Sequence, residues 1–363
     1  MQQPYKVMVW GPGKMGSVAI WEVLQSSAYE LTGVRVYSEH KNGVDVGELL
    51  GIEPLNLLAT TDTEKLLKQP CDCIIYTALD TGDYKMDEEI LHLLASGKNV
   101  VTPLPYQNAH LFREQDFLDK LDAACKQGGS VFHATGIDPD IISDSVLMGL
   151  TGICTDVSSI RLREFWECSA GDPNSLAFLG YGKTPEEAKK IPIAEASTTN
   201  FMQAIARTVE KTLGVKYDRL TEEYDYVTTD KDIEQPLLIK KGTVARLVSR
   251  INGYVDAKGS EPFFSFEYNW FVSYDMLPEG IQPDQYWVAT IEGRPSLKMS
   301  IDLKASHEKN ERFFKIGNMV SEAGYHGTIA PCLHSIPHIC NAKPGVLPSF
   351  SPDIHWKQDP RIQ

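Results

Sequence analysis

Six residues near the start of the chain have the composition and spacing of a turn that could hold a phosphate. They lie between an apolar, strand-forming run and a segment with a helical pattern, and they are Gly11, Pro12, Gly13, Lys14, Met15 and Gly16. In such a turn the first glycine permits a tight bend, the second lets the backbone approach a pyrophosphate, and the third allows close helix packing. Backbone N–H groups at the helix start face the phosphate charge. The turn predicts a dinucleotide site, with a plain strand-to-helix connection as the alternative.

The residues about 20 positions further on decide which dinucleotide fits. The second predicted strand ends near Tyr37, and the place where a ribose-binding carboxylate is expected holds Val36. Three polar side chains that could bind a 2′-phosphate follow: Ser38, His40 and Lys41. Together with Tyr37 they form the predicted ribose end of the site. The pattern favours NADP as the cofactor, and Glu39 keeps NAD as the alternative.

Two further strand ends provide candidate cofactor contacts. The third predicted strand ends in Thr77 and Ala78, and the fourth ends in Thr102, which Pro103 follows. Ligands of open α/β sheets bind beyond the carboxyl ends of the strands. We therefore expect these four residues to line the cofactor beside the glycine turn.

The elements that must position these residues alternate through the first third of the chain. Predicted strands cover residues 6–10, 30–37, 71–78, 99–102 and 130–135. Predicted helices cover residues 15–25, 63–68, 86–97 and 113–129. Short strand-forming runs that alternate with amphipathic helices indicate a parallel sheet covered on both faces. The sequence predicts an α/β fold with a Rossmann-type dinucleotide-binding domain over residues 1–140.

The pattern changes after about residue 156. One strand (158–167) and an amphipathic helix (200–214) precede a run of strands without helices between them, at residues 243–253, 263–274, 285–293 and 296–305. This meander predicts an α+β domain built on an antiparallel sheet, over residues 141–326, for substrate binding and dimerisation. The aromatic strand 263–274 could be a binding wall, but packing of a sheet face on a helix or on another subunit is favoured.

Bulk composition limits the class of protein. The 363 residues suit two domains, and 42% hydrophobic with 23% charged residues is ordinary globular composition. A net charge of −14 argues against nucleic acid or an anionic membrane surface as a partner. No apolar run approaches the length of a membrane span, and the N-terminus leads directly into the first strand without a signal-peptide pattern. Seven scattered cysteines fit a reducing compartment, so a cytoplasmic protein is expected.

Several motifs carry a family resemblance. They are VGELLGIEP (46–54), GKNVVT (97–102), ATGIDPDIISD (134–144), LGYGKTPEE (179–187) and IPHICNAKPGVLPS (336–349). The first third resembles the dihydrodipicolinate reductase-like N-terminal domain, and the whole chain resembles the 2,4-diaminopentanoate dehydrogenase and native amine dehydrogenase family. The resemblance implies a Rossmann domain, a dimerising sheet domain, and a C-terminal segment (327–363) that packs back onto the cofactor domain. True dihydrodipicolinate reductases carry a double-His motif followed by Lys, which is missing, so that activity is not expected.

The chain departs from this family in two loops. The resemblance implies a Glu a few residues after GKNVVT, which handles the proton during ammonia addition, but Tyr106 and three apolar neighbours occupy the loop. The family usually has Pro-Gly where this chain has Pro139 and Asp140, and Asp138 lies beside them. The exchange is either compensatory or a sign of different chemistry. A phenol is protonated at neutral pH and can donate a proton, whereas a carboxylate can accept one from ammonium or hold it. Tyr106, Asp138 and Asp140 are therefore the candidate catalytic residues.

These inferences predict an NAD(P)H-dependent oxidoreductase, amine dehydrogenase-like, that transfers a hydride between nicotinamide and a small carbonyl, imine or amine. An alcohol-forming carbonyl reductase is one alternative, since simple ketone reduction needs only one acid. A cofactor-binding paralogue without catalysis is the other. We expect a homodimer and a small-molecule substrate.

Other polar residues have competing interpretations. Cys332, His334, His338 and Cys340 have donors suited to zinc, but their spacing matches no common framework and no metal is predicted. His133 could relay protons, although a core histidine is favoured. Glu164 and Trp166 could face the substrate or have a structural role.

Overall fold

The computed structural model describes residues 3–79, 83–171, 173–235, 237–256 and 259–348. Two compact units are present: one contains the residues up to Asp138 and the described residues from Lys304, and the other contains Pro139–Leu303.

The strands are β1 Tyr5–Trp10, β2 Tyr29–Arg35, β3 Cys73–Tyr76, β4 Asn99–Thr102, β5 Val131–Ala134, β6 Asp156–Glu167, β7 Arg219–Thr228, β8 Val244–Tyr254, β9 Phe264–Phe271, β10 Gln285–Arg294, β11 Leu297–Asp302, β12 Phe313–Ile316, β13 Met319–Glu322 and β14 Gly345–Val346. The helices are α1 Lys14–Leu24, α2 Val46–Leu50, α3 Thr63–Leu67, α4 Asp87–Ala95, α5 Gln115–Gly128, α6 Leu147–Thr151, α7 Pro173–Phe178, α8 Pro185–Ala188, α9 Pro192–Leu213 and α10 Ala323–Asn341.

The first unit is built on a parallel six-stranded sheet in the order β14-β5-β4-β3-β1-β2. Successive residues of β1 pack into the cores on opposite faces. Val7 and Val9 belong to the core that includes side chains of α1 and α10, whereas Met8 and Trp10 belong to the core with side chains of α4 and α5. A strand covered on both sides needs a continuous apolar run, as this one has. The predicted α/β fold with a Rossmann-type sheet is confirmed.

The strand order reverses between β1 and β3, because β2 lies on one side of β1 and β3 to β5 lie on the other. Dinucleotides bind at such a reversal, beyond the carboxyl ends of the strands. The loops that follow β1, β2, β3 and β4 therefore form the candidate site.

The end of the described chain also belongs to the first unit. Helix α10 packs against α1, and β14 pairs with β5. The sequence pattern does not predict α10, because Pro331 and Pro337 lie inside it and proline usually interrupts helices. The rest of the predicted return segment, residues 349–363, lies outside the described residues.

The second unit contains a six-stranded sheet in the order β11-β10-β6-β9-β8-β7. Four of its neighbouring pairs are antiparallel, but β6 and β9 run parallel. The predicted second domain with an antiparallel sheet is confirmed, and this central parallel pair makes the sheet mixed. The chain between β6 and β9 holds three helices and two strands, which is enough for it to return in the same direction.

Most aromatic side chains of β9 are buried inside the second unit, and Trp270 is partly buried. Phe264 and Phe266 are 0% exposed, and Tyr268 is 4% exposed. Helix α9 packs against β8 and β9. The favoured interpretation was a sheet face packed on a helix or on another subunit, and the packing of α9 agrees with the first of these. Among the described helices, each is too short or too polar to cross a bilayer.

Candidate dinucleotide site

The glycine turn follows β1 and opens α1, and its three glycines have different surroundings. Gly11 has a φ of +81°, and a Cβ there would lie 2.9 Å from the Ala78 Cα. At Gly16 a Cβ would lie 2.2 Å from the Gly11 carbonyl oxygen. At Gly13, by contrast, a Cβ would have no described atom within 4 Å. The first and third glycines let the turn pack, and the space beside Gly13 can admit a pyrophosphate.

The start of α1 has the features of an anion site. Gly13 is the N-cap and supplies no side-chain hydrogen bond, and the first turn holds no acidic residue. The N–H groups of a first helical turn have no carbonyl partner within the helix. The predicted residue Pro12 is buried, and Met15 packs partly into the core. Lys14 extends along the surface, with its Nζ 3.5 Å from the Val320 carbonyl oxygen. The residues of this turn fit a dinucleotide pyrophosphate.

Thr77 stabilises the glycine turn through hydrogen bonds to its backbone. Its hydroxyl donates hydrogen bonds to the carbonyl oxygens of Trp10 (2.9 Å) and Gly11 (3.0 Å), and the backbone of Ala78 packs on Gly11. Thr102 connects the next strand ends in the same way, because its hydroxyl donates to the Tyr76 carbonyl oxygen (2.8 Å). Pro103, which follows, is buried. The structure therefore brings these predicted residues to one edge of the sheet.

The predicted 2′-phosphate residues lie directly after β2. Ser38 precedes a short 3₁₀ turn, Glu39–Lys41, and its hydroxyl oxygen lies 3.4 Å from the Nε2 atom of His40. Lys41 is half-buried at the end of this turn. Arg35, the last residue of β2, donates hydrogen bonds to the Thr63 hydroxyl (2.9 Å) and to the Val36 carbonyl oxygen and is not part of this cluster. Ser38, His40 and Lys41 thus form a small polar cluster.

Glu89 is a residue of this region that the sequence analysis missed. Its carboxylate accepts hydrogen bonds from the hydroxyls of Tyr37 (2.5 Å) and Tyr76 (2.6 Å) and from the indole of Trp10 (3.1 Å). This network fixes the half-exposed ring of Tyr37 beside the polar cluster. The sequence signal was weak, because Glu89 lies among other acidic residues at the start of α4 and resembles an ordinary exposed helix residue.

Tyr106 lies in the loop after β4, and its hydroxyl faces the interior of the first unit. It donates to the Asp87 Oδ1 atom (2.6 Å), while Arg113 pairs with the other carboxylate oxygen. The ring packs edge-on against Phe132 and in a tilted arrangement against Phe117. The side chain is 5% exposed. Its acidic partner, 19 positions away in sequence, was not recognised in the sequence.

The candidate carboxylates Asp138 and Asp140 lie on a π-helical segment, Ile137–Val146. Asp138 is half-buried, whereas Asp140 is 0% exposed. Asp140 also has a backbone φ of +111°, which residues other than glycine rarely adopt. Asp144 lies on the same segment and accepts a hydrogen bond from the Ser143 hydroxyl (3.0 Å).

Two further residues of interest are buried. In the second unit, Glu164 accepts a hydrogen bond from the indole of Trp270 (3.1 Å), whose ring stands edge-on to Trp166 at 5.1 Å. In the first unit, His133 lies in β5 with 0% exposure. Burial lowers the pKa of His133 to about 4, so its ring is neutral near neutral pH. Among the described residues, no group of three or more potential ligands is arranged to hold a metal.

Comparison with known proteins places this geometry in a family. Residues 5–101 match the model of the dihydrodipicolinate reductase N-terminus. Residues 141–351, more than half of the chain, match that of the 2,4-diaminopentanoate dehydrogenase C-terminal domain. The chain belongs to this family. The resemblance predicted from the sequence motifs is confirmed.

Relatives cover nearly all of the chain. An amine dehydrogenase of Streptomyces virginiae is 28% identical over 352 residues, which are 93% of each chain. A 2,4-diaminopentanoate dehydrogenase of Acetoanaerobium sticklandii is 25% identical over 361 residues, 94% of this chain and 91% of the relative. These relatives and the glycine turn together show that the chain is an NAD(P)-dependent oxidoreductase of the amine dehydrogenase-like type, as predicted.

Solved structures share the fold. The amine dehydrogenase from Mycobacterium smegmatis superposes with a TM-score of 0.74 at 20% identity and covers 98% of each chain. GenD2 from gentamicin A biosynthesis, solved in complex with NAD, has a TM-score of 0.51 at 15% identity and covers 95% of this chain and 90% of its own. At these identities the likeness concerns the fold alone.

Proposed function

We propose that the protein uses NADPH to form an amine from a small carbonyl compound and ammonia, or catalyses the reverse reaction, and that Asp140 supplies the carboxylate missing from the loop after β4. The observation that carries this proposal is the conformation of Asp140. An L-residue with a φ of +111° is strained, and the resemblance implies a glycine at this position. Such strain costs about 1–3 kcal/mol and is typically kept at functional sites. The exchange of Gly for Asp therefore supports a role for the carboxylate.

The chemistry needs one group that first accepts and then donates a proton. An ammonium ion must lose a proton before its nitrogen can attack the carbonyl carbon, and the Asp140 carboxylate accepts it. The resulting carbinolamine loses its hydroxyl group as water when Asp140 returns the proton. A nicotinamide, when bound, would supply the hydride that reduces the iminium carbon. Carbonyl, ammonium and hydride then account for all atoms of the amine and the water.

Asp138 has a supporting role in this proposal, whereas Tyr106 belongs to the alternative, alcohol-forming reaction. Asp138 precedes Asp140 on the same segment and adds negative charge that favours an ammonium ion. Tyr106 is the candidate proton donor for an alkoxide, as simple ketone reduction would require. Its hydroxyl can pass a proton only after it exchanges Asp87 for another partner, which makes alcohol formation the second choice.

Two variants separate these functions. Asp140→Asn should reduce ammonia-dependent oxidation of NADPH, across a panel of carbonyl compounds, by roughly a hundredfold or more while cofactor affinity stays unchanged. Asp140→Gly should lose the same turnover but raise the melting temperature, because glycine adopts this φ without strain. Tyr106→Phe is the matched control and should keep ammonia-dependent turnover.

Other outcomes would overturn the proposal. Full activity of Asp140→Asn, combined with ammonia-independent ketone reduction that Tyr106→Phe abolishes, would identify an alcohol-forming carbonyl reductase. NADPH binding without turnover of any compound, with or without ammonia, would identify a non-catalytic paralogue.

We further propose NADPH rather than NADH as the preferred cofactor, a homodimer as the assembly and the cytoplasm as the location. Ser38, His40 and Lys41 support the first, because they follow β2 without a carboxylate at Val36.

A further inference from the structure

Gln107 is a buried amide without a hydrogen-bond partner. The residue is 1% exposed, and both its Nε2 and Oε1 atoms are buried and lack a partner among the described residues. Its sequence neighbours Leu104, Tyr106, Asn108 and Ala109 are also buried, and the Tyr106 hydroxyl is already bonded to Asp87. Native proteins satisfy the great majority of buried side-chain polar atoms.

A buried amide without hydrogen bonds destabilises the fold, so its presence needs an explanation. An unsatisfied buried donor or acceptor destabilises the folded state, and Gln107 has one donor atom and one acceptor atom without partners. A leucine of similar size would avoid that cost. The amide therefore indicates a ligand that supplies both an acceptor and a donor, or a buried water that does the same.

The position of Gln107 relative to the strands indicates which part of a bound dinucleotide it would meet. It lies in the loop after β4, on the side of the strand reversal formed by β3, β4 and β5. The glycine turn follows β1 at the reversal, and the Ser38–Lys41 cluster follows β2 on the opposite side. A dinucleotide spans the reversal with one mononucleotide over each half of the sheet. The adenosine half then lies beyond β2, and the nicotinamide half lies beyond β3 and β4.

We propose that Gln107 binds the carboxamide group of the nicotinamide ring. A carboxamide has one carbonyl oxygen and one NH₂ group, as the glutamine amide has, so the two groups can form a pair of reciprocal hydrogen bonds. This pairing fixes the rotation of the ring and thus the face that delivers the hydride. Gln107 is in this sense a cofactor-orienting residue, and the assignment rests on the proposed use of a nicotinamide dinucleotide.

The test compares ligands with and without the nicotinamide carboxamide. Binding of NADPH, of its 3-acetylpyridine analogue and of 2′-phospho-ADP-ribose is measured by calorimetry on the wild type and on Gln107→Leu. We expect the variant to bind NADPH about tenfold more weakly, because two hydrogen bonds are lost. It should bind 2′-phospho-ADP-ribose as tightly as the wild type does. The wild type should prefer NADPH to the acetyl analogue, and the variant should not.

A second readout does not need a bound cofactor. The melting temperature of free Gln107→Leu should equal or exceed that of the wild type, because an unsatisfied amide has been removed. Gln107→Met provides the same comparison if the leucine variant does not fold. Gln115→Leu, an exposed glutamine at the start of α5, is the matched control and should change no affinity.

Equal NADPH affinity in the wild type and Gln107→Leu would overturn the assignment and leave the buried water as the explanation. Failure of the wild type to bind 2′-phospho-ADP-ribose would instead contradict the proposed NADP-binding function.

Discussion

His133 shows how burial of one residue links stability to pH. Its ring is fully buried in β5, where a hydrogen bond with the Leu347 backbone favours the charged form and the nearby His338 opposes it. The desolvation outweighs both, and the pKa falls from 6.5 to about 4. The neutral ring fits the core role that the sequence analysis favoured over a proton relay.

This depressed pKa predicts acid destabilisation in a defined window. Between pH 6.5 and about 4 the unfolded chain binds a proton at His133 that the folded chain does not bind, so the free energy of unfolding falls as pH falls. The full loss is about 3 kcal/mol. Urea denaturation at pH 7 and pH 4.5 measures it, with His133→Gln as the reference in which other titrating groups cancel. The same pH dependence in both proteins would contradict the assignment.

The turn after β2 is the element on which the proposed preference for NADPH over NADH rests. Ser38, His40 and Lys41 come together because the 3₁₀ turn bends the chain directly after the strand. The half-exposed Tyr37 ring is held at its hydroxyl by Glu89 and lies under the Arg35 guanidinium at 4.9 Å. The turn therefore presents the aromatic ring of Tyr37 and the positive charge of Lys41 to a ligand bound beyond β2.

We expect calorimetric titration to show tighter binding of NADPH than of NADH. Lys41→Ala should weaken NADPH binding by about tenfold or more, since charge-assisted hydrogen bonds contribute about 1.5–3 kcal/mol, and should leave NADH binding unchanged. Lys120→Ala, on the surface of α5, is the control for loss of a positive charge. A preference for NADH in the wild type would show that this turn reads a ribose hydroxyl group instead.

At the scale of the whole molecule, the second unit exposes a polar sheet face that could join two copies. Arg163 on β6 lies opposite Glu267 on β9 in the strand register, and Arg250 donates to both Glu267 (2.7 Å) and Glu223 (2.8 Å). The depression on this face is lined by three arginines and three glutamates: Arg161, Arg163, Arg250, Glu223, Glu267 and Glu292. A face with balanced charges can be complementary to its own copy across a two-fold axis. The proposed dimer thus rests on charge rather than on exposed aromatic residues.

Light scattering at micromolar concentration should give twice the chain mass. Arg163→Glu should produce monomers, because it gives both copies an excess of negative charge on the same face. Lys309→Glu, an exposed change in the first unit, should leave the dimer intact. High salt should weaken the wild-type dimer. A monomeric wild type, or a dimer unaffected by Arg163→Glu, would contradict this interface.

The sequence by itself determined the architecture of the first unit and predicted the turn that is proposed to hold the pyrophosphate. Apolar strands such as Val7–Trp10, the amphipathic α5 and the Gly11–Gly16 turn are local features, because their periodicity and backbone requirements involve neighbouring residues only. The family motifs likewise predicted the class of reaction.

Only the tertiary structure decided which side chains meet. Tyr106 reaches Asp87, and Trp10 reaches Glu89, through packing of α4 on the sheet, which no local pattern encodes. Helix α10 forms despite two prolines because its apolar side chains fill the core against α1. The strain at Asp140 and the unsatisfied amide of Gln107 also appear only once the fold is known. Contacts between distant residues depend on burial and on strand order, and these are properties of the packed chain rather than of any short segment.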